Sequence, residues 1–176
     1  MPNSYTTGFG ASPAPLNVGT AKVEPKHSNR FVVTFSGGAL NQDVTANVVK
    51  TDRPNTDFAE MEVHRGESKT YFAGKPTFSP VTLTLEDSLD GAVAAALELQ
   101  KNAQFDTNTL AVAKNGSFYK FTTVIKEYDG SGAVVGTDTL YGSWIKTLNK
   151  SGLDYSEESQ QLTFDLTLRY DLPVRT

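Results

Sequence analysis

The side chains best suited to chemistry lie in one short stretch, FAEMEVH at 58–64. Glu60 and Glu62 alternate with apolar residues, so in a strand they would share one face about 7 Å apart. That separation is compatible with the carboxylate pair of a glycoside hydrolase. Acidic residues that alternate along a strand are far more often solvated, so the sequence favours an exposed strand over a hydrolase site. His64 falls on the same polar face and is interpreted in the same way.

Other catalytic and metal chemistry is poorly supported by the residue inventory. The chain has no cysteine and only two histidines, His27 and His64. This excludes a disulfide framework or a cysteine zinc site, and it disfavours a histidine-based triad. The segment GSGAVVG at 130–136 has the spacing GxGxxxG and precedes no helical pattern, so it does not predict nucleotide binding. We expect no catalytic residues, no metal and no cofactor.

The length and net charge of the chain further limit the classes of protein to which it could belong. A chain of 176 residues suits a single domain. A net charge of −4 argues against a nucleic-acid binder that works by neutralising phosphates. No basic segment followed by an apolar core marks a signal peptide, and the longest apolar run, around 92–97, is too short to cross a bilayer. The sequence predicts a soluble protein without a membrane segment.

The elements that would position polar side chains are mostly strands, and the clearest is the last one, at 160–171. Its apolar residues share one face: Leu162, Phe164, Leu166, Leu168 and Tyr170. Its polar residues share the other face: Thr163, Asp165, Thr167 and Arg169. This alternation predicts a strand with one buried and one wetted face, and Pro173 is expected to end it.

Earlier segments predict further strands and one helix. Strand patterns occur at 30–36, 43–50, 58–64, 80–86, 117–128 and 133–148. Between 89 and 101 the apolar period becomes helical, with Asp87 or Ser88 as a possible N-cap. Leu89, Val93 and Leu97 are the residues expected to pack this helix onto a sheet. The chain is therefore predicted to be mainly β with a single α-helix.

The first residues differ in composition from the rest. Residues 1–27 are rich in Gly, Ser, Thr and Pro and show little periodicity. We predict an extended or flexible N-terminal arm at 1–28, followed by one β-sandwich domain at 29–176. Whether the arm is disordered or becomes ordered against a neighbouring molecule stays open.

In the order of these motifs the chain resembles the tail tube proteins of contractile-tail bacteriophages, which are close in fold to the haemolysin-coregulated tube protein of type VI secretion. The resemblance begins with the strand NRFVVTF at 29–35. A strand then runs into the single helix in PTFSPVTLTLEDSLDGAVAAALELQ at 76–100. It ends with a Gly-x-Trp motif in LYGSW at 140–144, a polar link, and the closing strand LTFDLTLRYD at 162–171.

The resemblance implies a ring-forming structural subunit and not an enzyme. Its fold would be two packed antiparallel sheets, forming a sandwich or barrel flanked by one helix. Six copies would form a ring with a continuous β-lined channel, and rings would stack into a hollow tube for DNA passage during ejection. The implied partners are further copies of the chain, a sheath outside, baseplate and tail terminator proteins, and a tape measure protein and then DNA in the lumen without tight binding. The implied location is a virion tail assembled in the host cytoplasm.

The resemblance also implies roles for particular residues. The loop at 51–57 should reach a neighbouring subunit or ring, with Asp52, Arg53, Asn55 and Asp57 as candidate contacts. Replacing Arg53 and Asp57 by Ala should then weaken polymerisation. The polar residues of the last strand, Thr163, Asp165, Thr167 and Arg169, are candidates to line the lumen. An acidic lumen would repel DNA phosphates, whereas a basic wall would hold them.

Two alternatives to this function stay open. A tube subunit of a related injection or secretion machine, or a baseplate tube initiator, would carry the same sequence pattern. A monomeric carbohydrate-binding module is also possible, because Tyr119, Tyr128 and Tyr141 could stack on sugars. Such a module would stay monomeric and bind a ligand, whereas a tube subunit would form rings.

Overall fold

The computed structural model describes residues 27–40, 42–112, 115–153 and 161–176. The chain divides into two compact units, Met1–Arg30 and Phe31–Thr176. Of the first unit, the described residues 27–30 form a turn at Ser28 and Asn29. The predicted N-terminal arm at 1–28 lies outside the described residues except for its last two positions, and the domain boundary after it stays a prediction.

The described chain consists mainly of strands. The strands are β1 (Phe31–Ser36), β2 (Val48–Thr51), β3 (Thr56–Arg65), β4 (Ser68–Phe78), β5 (Val81–Glu86), β6 (Phe105–Asp106), β7 (Ala111–Val112), β8 (Phe121–Tyr128), β9 (Val134–Lys150), β10 (Thr163–Arg169) and β11 (Leu172–Arg175). The helices are α1 (Gln42–Ala46) and α2 (Ala92–Gln104), with a 3-10 turn at Gly116–Phe118. The prediction of a mainly β fold is confirmed.

Seven strands form one antiparallel sheet in the order β1-β8-β9-β10-β5-β2, with β11 also paired to β9. The 17-residue strand β9 pairs with β8 and β11 through its first part and with β10 through its last part. Gly142, with φ 67°, lies where these partners change. The sheet therefore has two antiparallel halves that share β9, one with β1, β8 and β11 and the other with β10, β5 and β2. It is not closed into a barrel.

One core joins the two halves of this sheet. Its buried side chains come from β1 and β8, for example Val33 and Ile125, and from β5 and β10, for example Leu83 and Leu166. The predicted alternation of the last strand is confirmed, because Phe164, Leu166, Leu168 and Tyr170 are buried. We name the seven-stranded sheet with α2 the sandwich body.

Two details predicted for the end of the chain are wrong. Leu162 precedes β10 and is 44% exposed, so it does not join the buried face. Pro173 does not end the chain's pairing, because it lies within β11, where Leu172–Arg175 pairs with β9. A proline is tolerated there because β11 is an edge strand and one side of it needs no backbone donor.

Helix α2 begins later than the sequence predicted. It starts at Ala92, after Gly91 at φ 69°, and the Asp90 carboxylate accepts a hydrogen bond from the Ala92 N–H at 3.2 Å. Val93 and Leu97 are buried in the core. The prediction that Leu89 packs the helix is wrong, since Leu89 lies before the helix and is fully exposed.

The prediction of a single helix and of a strand at 43–50 is also wrong. Residues Gln42–Ala46 form the short helix α1, and the strand begins only at Val48. Val44 is completely buried in the core. One helical turn places this side chain in the core while Val48–Thr51 pairs with β5.

Two glutamines tie α2 to the chain around it. Gln100 is completely buried; its side chain accepts from the Ala39 N–H and donates to the Tyr119 carbonyl, each at 2.7 Å. Gln104 donates to the Ile145 carbonyl at 2.9 Å and accepts from the Ile145 N–H at 2.8 Å. These two amides, one buried and one half-buried, have their hydrogen bonds satisfied and so fix the position of the helix on the sheet.

Candidate functional site

The longest surface feature is the hairpin of β3 and β4, Thr56–Phe78, which we call the long hairpin. It forms a two-stranded sheet of its own, with register partners from Thr56 and Phe78 at the base to Arg65 and Ser68 at the tip. Nearly all of its side chains are exposed. Ten residues of β3 extend about 30 Å. A two-stranded hairpin is marginally stable alone in water, so this one is suited to a neighbour that covers it.

A bulge divides the long hairpin into a base and a tip. Between the pairs Phe58–Pro76 and Glu60–Ala73 the register shifts, and Gly74 and Lys75 of β4 face Ala59. A Cβ on Gly74 would lie 2.7 Å from the Ala59 carbonyl oxygen. Only glycine allows this close approach, and such bulges bend and twist a ribbon. The Gly-Lys-Pro segment that resembles a strand break is therefore a bend within one continuous strand.

Beyond the bulge the two faces of the hairpin differ in chemistry. One face carries Met61, Val63 and Phe72, with Thr70, Arg65 and Ser68 towards its end, and Met61 and Phe72 are 54% and 46% exposed. The other face carries Glu60, Glu62, His64, Lys69 and Tyr71. On that face the Lys69 ammonium lies 2.6 Å from the Glu62 carboxylate. The tip is an amphipathic ribbon whose apolar face, defined by Met61, Val63 and Phe72, is open to solvent.

The base of the hairpin is tied to the sandwich body on both sides. Before β3, the Asp52 N–H donates to the Thr82 carbonyl at 2.9 Å. After β4, the Tyr170 hydroxyl donates to the Ser79 carbonyl at 2.8 Å, and the ring of Tyr170 packs near that of Phe78. Burial raises the pKa of the Tyr170 hydroxyl, which keeps it protonated as a donor. The two chain ends of the hairpin are therefore fixed, whereas its tip is exposed.

All four residues predicted as contacts between subunits lie at this base. Asp52, Asn55 and Asp57 are exposed. The Ser79 N–H donates to the Asn55 carbonyl at 3.1 Å. Arg53 instead turns to its own chain, with its guanidinium 2.7 Å from the carboxylate of Glu127.

The residues predicted to line a lumen lie on the face of β10 that points away from the core. Thr163, Thr167 and Arg169 are half-buried and Asp165 is exposed. The register places threonines and an asparagine beside them: Thr82 and Thr84 on β5, and Thr147 and Asn149 on β9. The Thr84 hydroxyl donates to Asp165 at 2.9 Å. This polar face is rich in hydroxyl groups.

The polar face carries charges of both signs. The register places Lys50 and Arg169 there together with Glu86 and Asp165. Lys146 is a further cation, exposed beside the buried Ile145 at the bulge where β9 faces Thr167 and Leu168. The overall charge of −4 is therefore not concentrated on this face, which is not acidic.

The tyrosines considered for carbohydrate binding lie far apart, and the glutamates considered for glycoside hydrolysis are exposed. Tyr128 pairs with Val134 at one end of β8, whereas Tyr141 lies near the other end, where Phe121 pairs with Ser143. About six residues along a strand separate them by about 20 Å, too far for one stacking platform. Glu60 and Glu62 share a face as predicted, but both are exposed on the long hairpin, outside any cleft that could hold a sugar ring.

Among residues 27–40, 42–112, 115–153 and 161–176, no group of three or more His, Asp or Glu side chains could hold a metal ion. Over the same residues no helix is long and apolar enough to cross a membrane.

Comparison with known proteins identifies the fold. No protein-family model matches the chain, and no curated protein matches it in sequence. Solved structures do match: a chain of the sheath–tube complex of an extracellular contractile injection system, PVC, has a TM-score of 0.66 at 14% identity over 86% of this chain and 91% of that one. A chain from the tube-terminating cap of the anti-feeding prophage has a TM-score of 0.66 at 14% identity over 87% and 91%.

A protein of a type six secretion system is also similar, with a TM-score of 0.51 at 8% identity over 84% of this chain and 83% of that one. The chain therefore has the fold of the tube proteins of contractile injection systems, and the resemblance predicted from the sequence is confirmed. These neighbours come from structural assemblies and not from enzymes.

Three features of this region were missed in the sequence. They are the bulge at Gly74, the bend of β9 at Gly142, and the pairing of Arg53 with Glu127. Both glycines are visible in the sequence, but a glycine alone does not distinguish a bend from a break. The ion pair joins residues 74 positions apart and leaves no local signal.

Proposed function

We propose that this chain is the repeating subunit of a hollow tube inside a contractile sheath. The observation that carries the proposal is the long hairpin, a ribbon about 30 Å long whose apolar face is uncovered by the residues that the structure describes. Exposed apolar ribbon in an otherwise well-packed protein marks a surface for another molecule. The tube-protein fold supports a second copy of the chain as that molecule.

The proposed assembly is head to tail. The hairpin's apolar face, Met61, Val63 and Phe72, would dock on a different surface of the next copy, because a contact of this face with itself would end at a dimer. Contacts between two different surfaces close into rings or grow into filaments. Strands β1 and β2 are the end strands of the sheet among the described residues, and their outer edges would add backbone hydrogen bonds between copies.

The finer form of the proposal is a phage tail. Six copies form each ring, and rings stack into a tube with sheath outside and with baseplate and terminator proteins at the ends. The polar face of β10 lines the lumen, through which a tape measure protein and then DNA pass. The carboxylates of Glu86 and Asp165 accompany its cations, which would weaken the hold of those cations on DNA phosphates. This tail belongs to a virion assembled in the host cytoplasm.

Electron microscopy of the purified protein, with light scattering alongside, tests the proposal. We expect hollow tubes or six-fold rings with a central hole at high protein concentration. A protein that stays monomeric even when mixed with preformed tube ends or baseplate would contradict a tube-forming role. Loading of labelled DNA, compared with labelled polypeptide, into tubes then tests the phage form separately.

Two neighbouring aromatic residues give a matched pair of variants. Phe72 lies on the apolar face of the hairpin and Tyr71 on the charged face, and the two are 46% and 60% exposed. Phe72→Ser should abolish tubes, whereas Tyr71→Ser should leave most of them, and neither should move the thermal midpoint by more than about 2 °C. Equal loss of tubes in both variants would show that the apolar face is not the docking side.

A further inference from the structure

Two buried carboxylates and two arginines form a cluster at one end of β8 and β9. Arg175 of β11 lies 2.9 Å from Asp138 and 3.4 Å from Glu127. Arg53, from the linker before β3, lies 2.7 Å from Glu127. We call these four residues the arginine–carboxylate cluster.

Arg53 pairs with a carboxylate that has little access to water. The side chains of Glu127 and Asp138 are 10% and 5% exposed, whereas those of Arg53 and Arg175 are 61% and 51% exposed. Burying a carboxylate is costly unless it is paired, so Arg53 contributes, together with Arg175, to the pairing of Glu127. Glycine at 136 leaves space for Arg175, since a Cβ there would lie 3.0 Å from the Arg175 guanidinium.

The position of Arg53 gives this ion pair a mechanical consequence. Arg53 lies in the four-residue linker at 52–55, the only connection from β2 to the long hairpin. Besides Arg53, the linker is held by the hydrogen bond from the Asp52 N–H to the Thr82 carbonyl and by that from the Ser79 N–H to the Asn55 carbonyl. On the other side of the hairpin, Ser79 is held by Tyr170. A hairpin fixed at both of its chain ends keeps one direction.

We propose that Glu127 is a positioning residue that locks the linker through Arg53 and so sets the direction of the long hairpin before copies meet. Arg53 then acts within its own chain and not as a contact between subunits. A hairpin held ready in this way loses less conformational freedom when it docks. The purpose of the lock rests on the proposed tube function, but the lock itself is a property of the single, unassembled subunit.

Hydrogen exchange of the unassembled subunit tests the lock directly. Linker exchange is read at the two amides whose hydrogen bonds hold the linker, Asp52, which donates to the Thr82 carbonyl, and Ser79, which donates to the Asn55 carbonyl. Arg53→Ala should raise the exchange of both by on the order of tenfold, with the core amides of β5 and β10 unchanged. Arg65→Ala is the matched control, since it removes the same charge from the hairpin tip, where the described residues show no ion pair for Arg65. Unchanged linker exchange in Arg53→Ala would overturn the proposal.

A second variant, which keeps the shape of the side chain, tests whether misfolding explains the result. Glu127→Gln keeps the shape of the side chain and removes its charge, so it should raise linker exchange as Arg53→Ala does. The double variant should raise it no further than either single change, because both break the same pair. Additive effects would show that Arg53 and Glu127 act separately, and would overturn the lock.

Tube formation by the same variants separates this proposal from the proposed function. If Arg53→Ala loses tubes while its linker exchange stays normal, Arg53 acts between copies, and the lock is wrong while the tube function stands. If the wild-type chain forms no tubes but the variants still loosen the linker, the lock stands and the tube function is wrong.

Discussion

The strand β10 in the sandwich body and the strands of the long hairpin alternate in the same way but differ in what covers them. In β10 every second side chain is buried, and Leu166 and Leu168 are completely buried. In the hairpin the equivalent apolar residues Met61 and Phe72 are about half exposed, at 54% and 46%. Period-2 alternation therefore shows that a strand has two unlike faces, but not whether the cover comes from the same chain.

Because of this difference, apolar burial stabilises the folded monomer in one region and the assembly of copies in the other. Apolar burial in the body stabilises the folded monomer by about 1.5–3 kcal/mol for each large side chain. The apolar face of the hairpin gains that energy only when a neighbour covers it. Substitutions in the body should therefore change the free energy of unfolding, whereas substitutions in the hairpin should change assembly.

The largest effect is expected for Leu97→Asp in α2. Leu97 is 1% exposed, so the new carboxylate would be buried without a partner and should cost about 3 kcal/mol or more of stability. Leu99→Asp, two residues along the same helix, is the control, because Leu99 is 62% exposed. Urea unfolding measures both. Similar losses at the two positions would mean that burial does not set the stability of the body.

A smaller loss is expected for Gly142→Ala, at the bend of β9. Gly142 has φ 67°, and an added Cβ would fall on the carboxylate of Asp171, which is held by Lys120 at 2.6 Å. Left-handed strain and the clash together should cost about 2–3 kcal/mol of stability. Gly132→Ala isolates the strain, since Gly132 has φ 86° but no atom within 4 Å of its Cβ position. If the two variants lose the same stability, Asp171 is not what requires glycine in the Gly-x-Trp motif.

How far the sequence predicts this structure depends on whether the signal is local. The alternation of Phe164, Leu166 and Leu168 is local, and it correctly placed β10 in the core. The start of α2 was predicted too early because Leu89 fits the helical period, while Gly91 at φ 69° begins the helix later. Val44 fits a strand as well as a helix, and only its burial in the finished core decides between them.

The candidate surfaces were less predictable for the same physical reason. The segment with Gly74 and Pro76 looks like a break, yet β4 passes through it because a two-stranded ribbon consists only of edge strands, where proline and bulges are tolerated. Arg53 looks like a free charge in a polar loop. Its partner Glu127 lies on a distant strand, so only the folded chain brings them together.

Within the hairpin, Gly74→Ala should leave stability almost unchanged and reduce assembly. The added Cβ would lie 2.7 Å from the Ala59 carbonyl, so the bulge must shift and the tip must change direction. We expect the free energy of unfolding to change by less than about 0.5 kcal/mol, because the hairpin packs little against the body. Tube yield by sedimentation should fall strongly. Gly66 has φ 63° but no atom within 4 Å of an added Cβ, so Gly66→Ala shows whether backbone strain without a clash has this effect.

The smallest effect is expected for Glu98→Gln on the surface of the body. Glu98 accepts hydrogen bonds from Lys101 of α2 and from Lys150 of β9, the latter at 2.8 Å. These bonds, first that of Lys101 and then that of Lys150, lower the pKa of the Glu98 carboxyl from its ordinary 4.5. Because the folded pKa lies below the unfolded one, the stabilisation is present above about pH 4.5 and is lost as the pH falls through the folded pKa.

Since the Glu98 side chain is 35% exposed, its loss should cost less than about 1 kcal/mol at pH 7. The gap in stability between the wild type and Glu98→Gln should close as the pH falls below 4.5. Glu62→Gln removes the matching ion pair with Lys69 in the hairpin. If the hairpin contributes little to the stability of the monomer, this second variant should unfold like the wild type at every pH. A loss equal to that of Glu98→Gln would show that hairpin and body unfold as one unit, and would break the distinction between them.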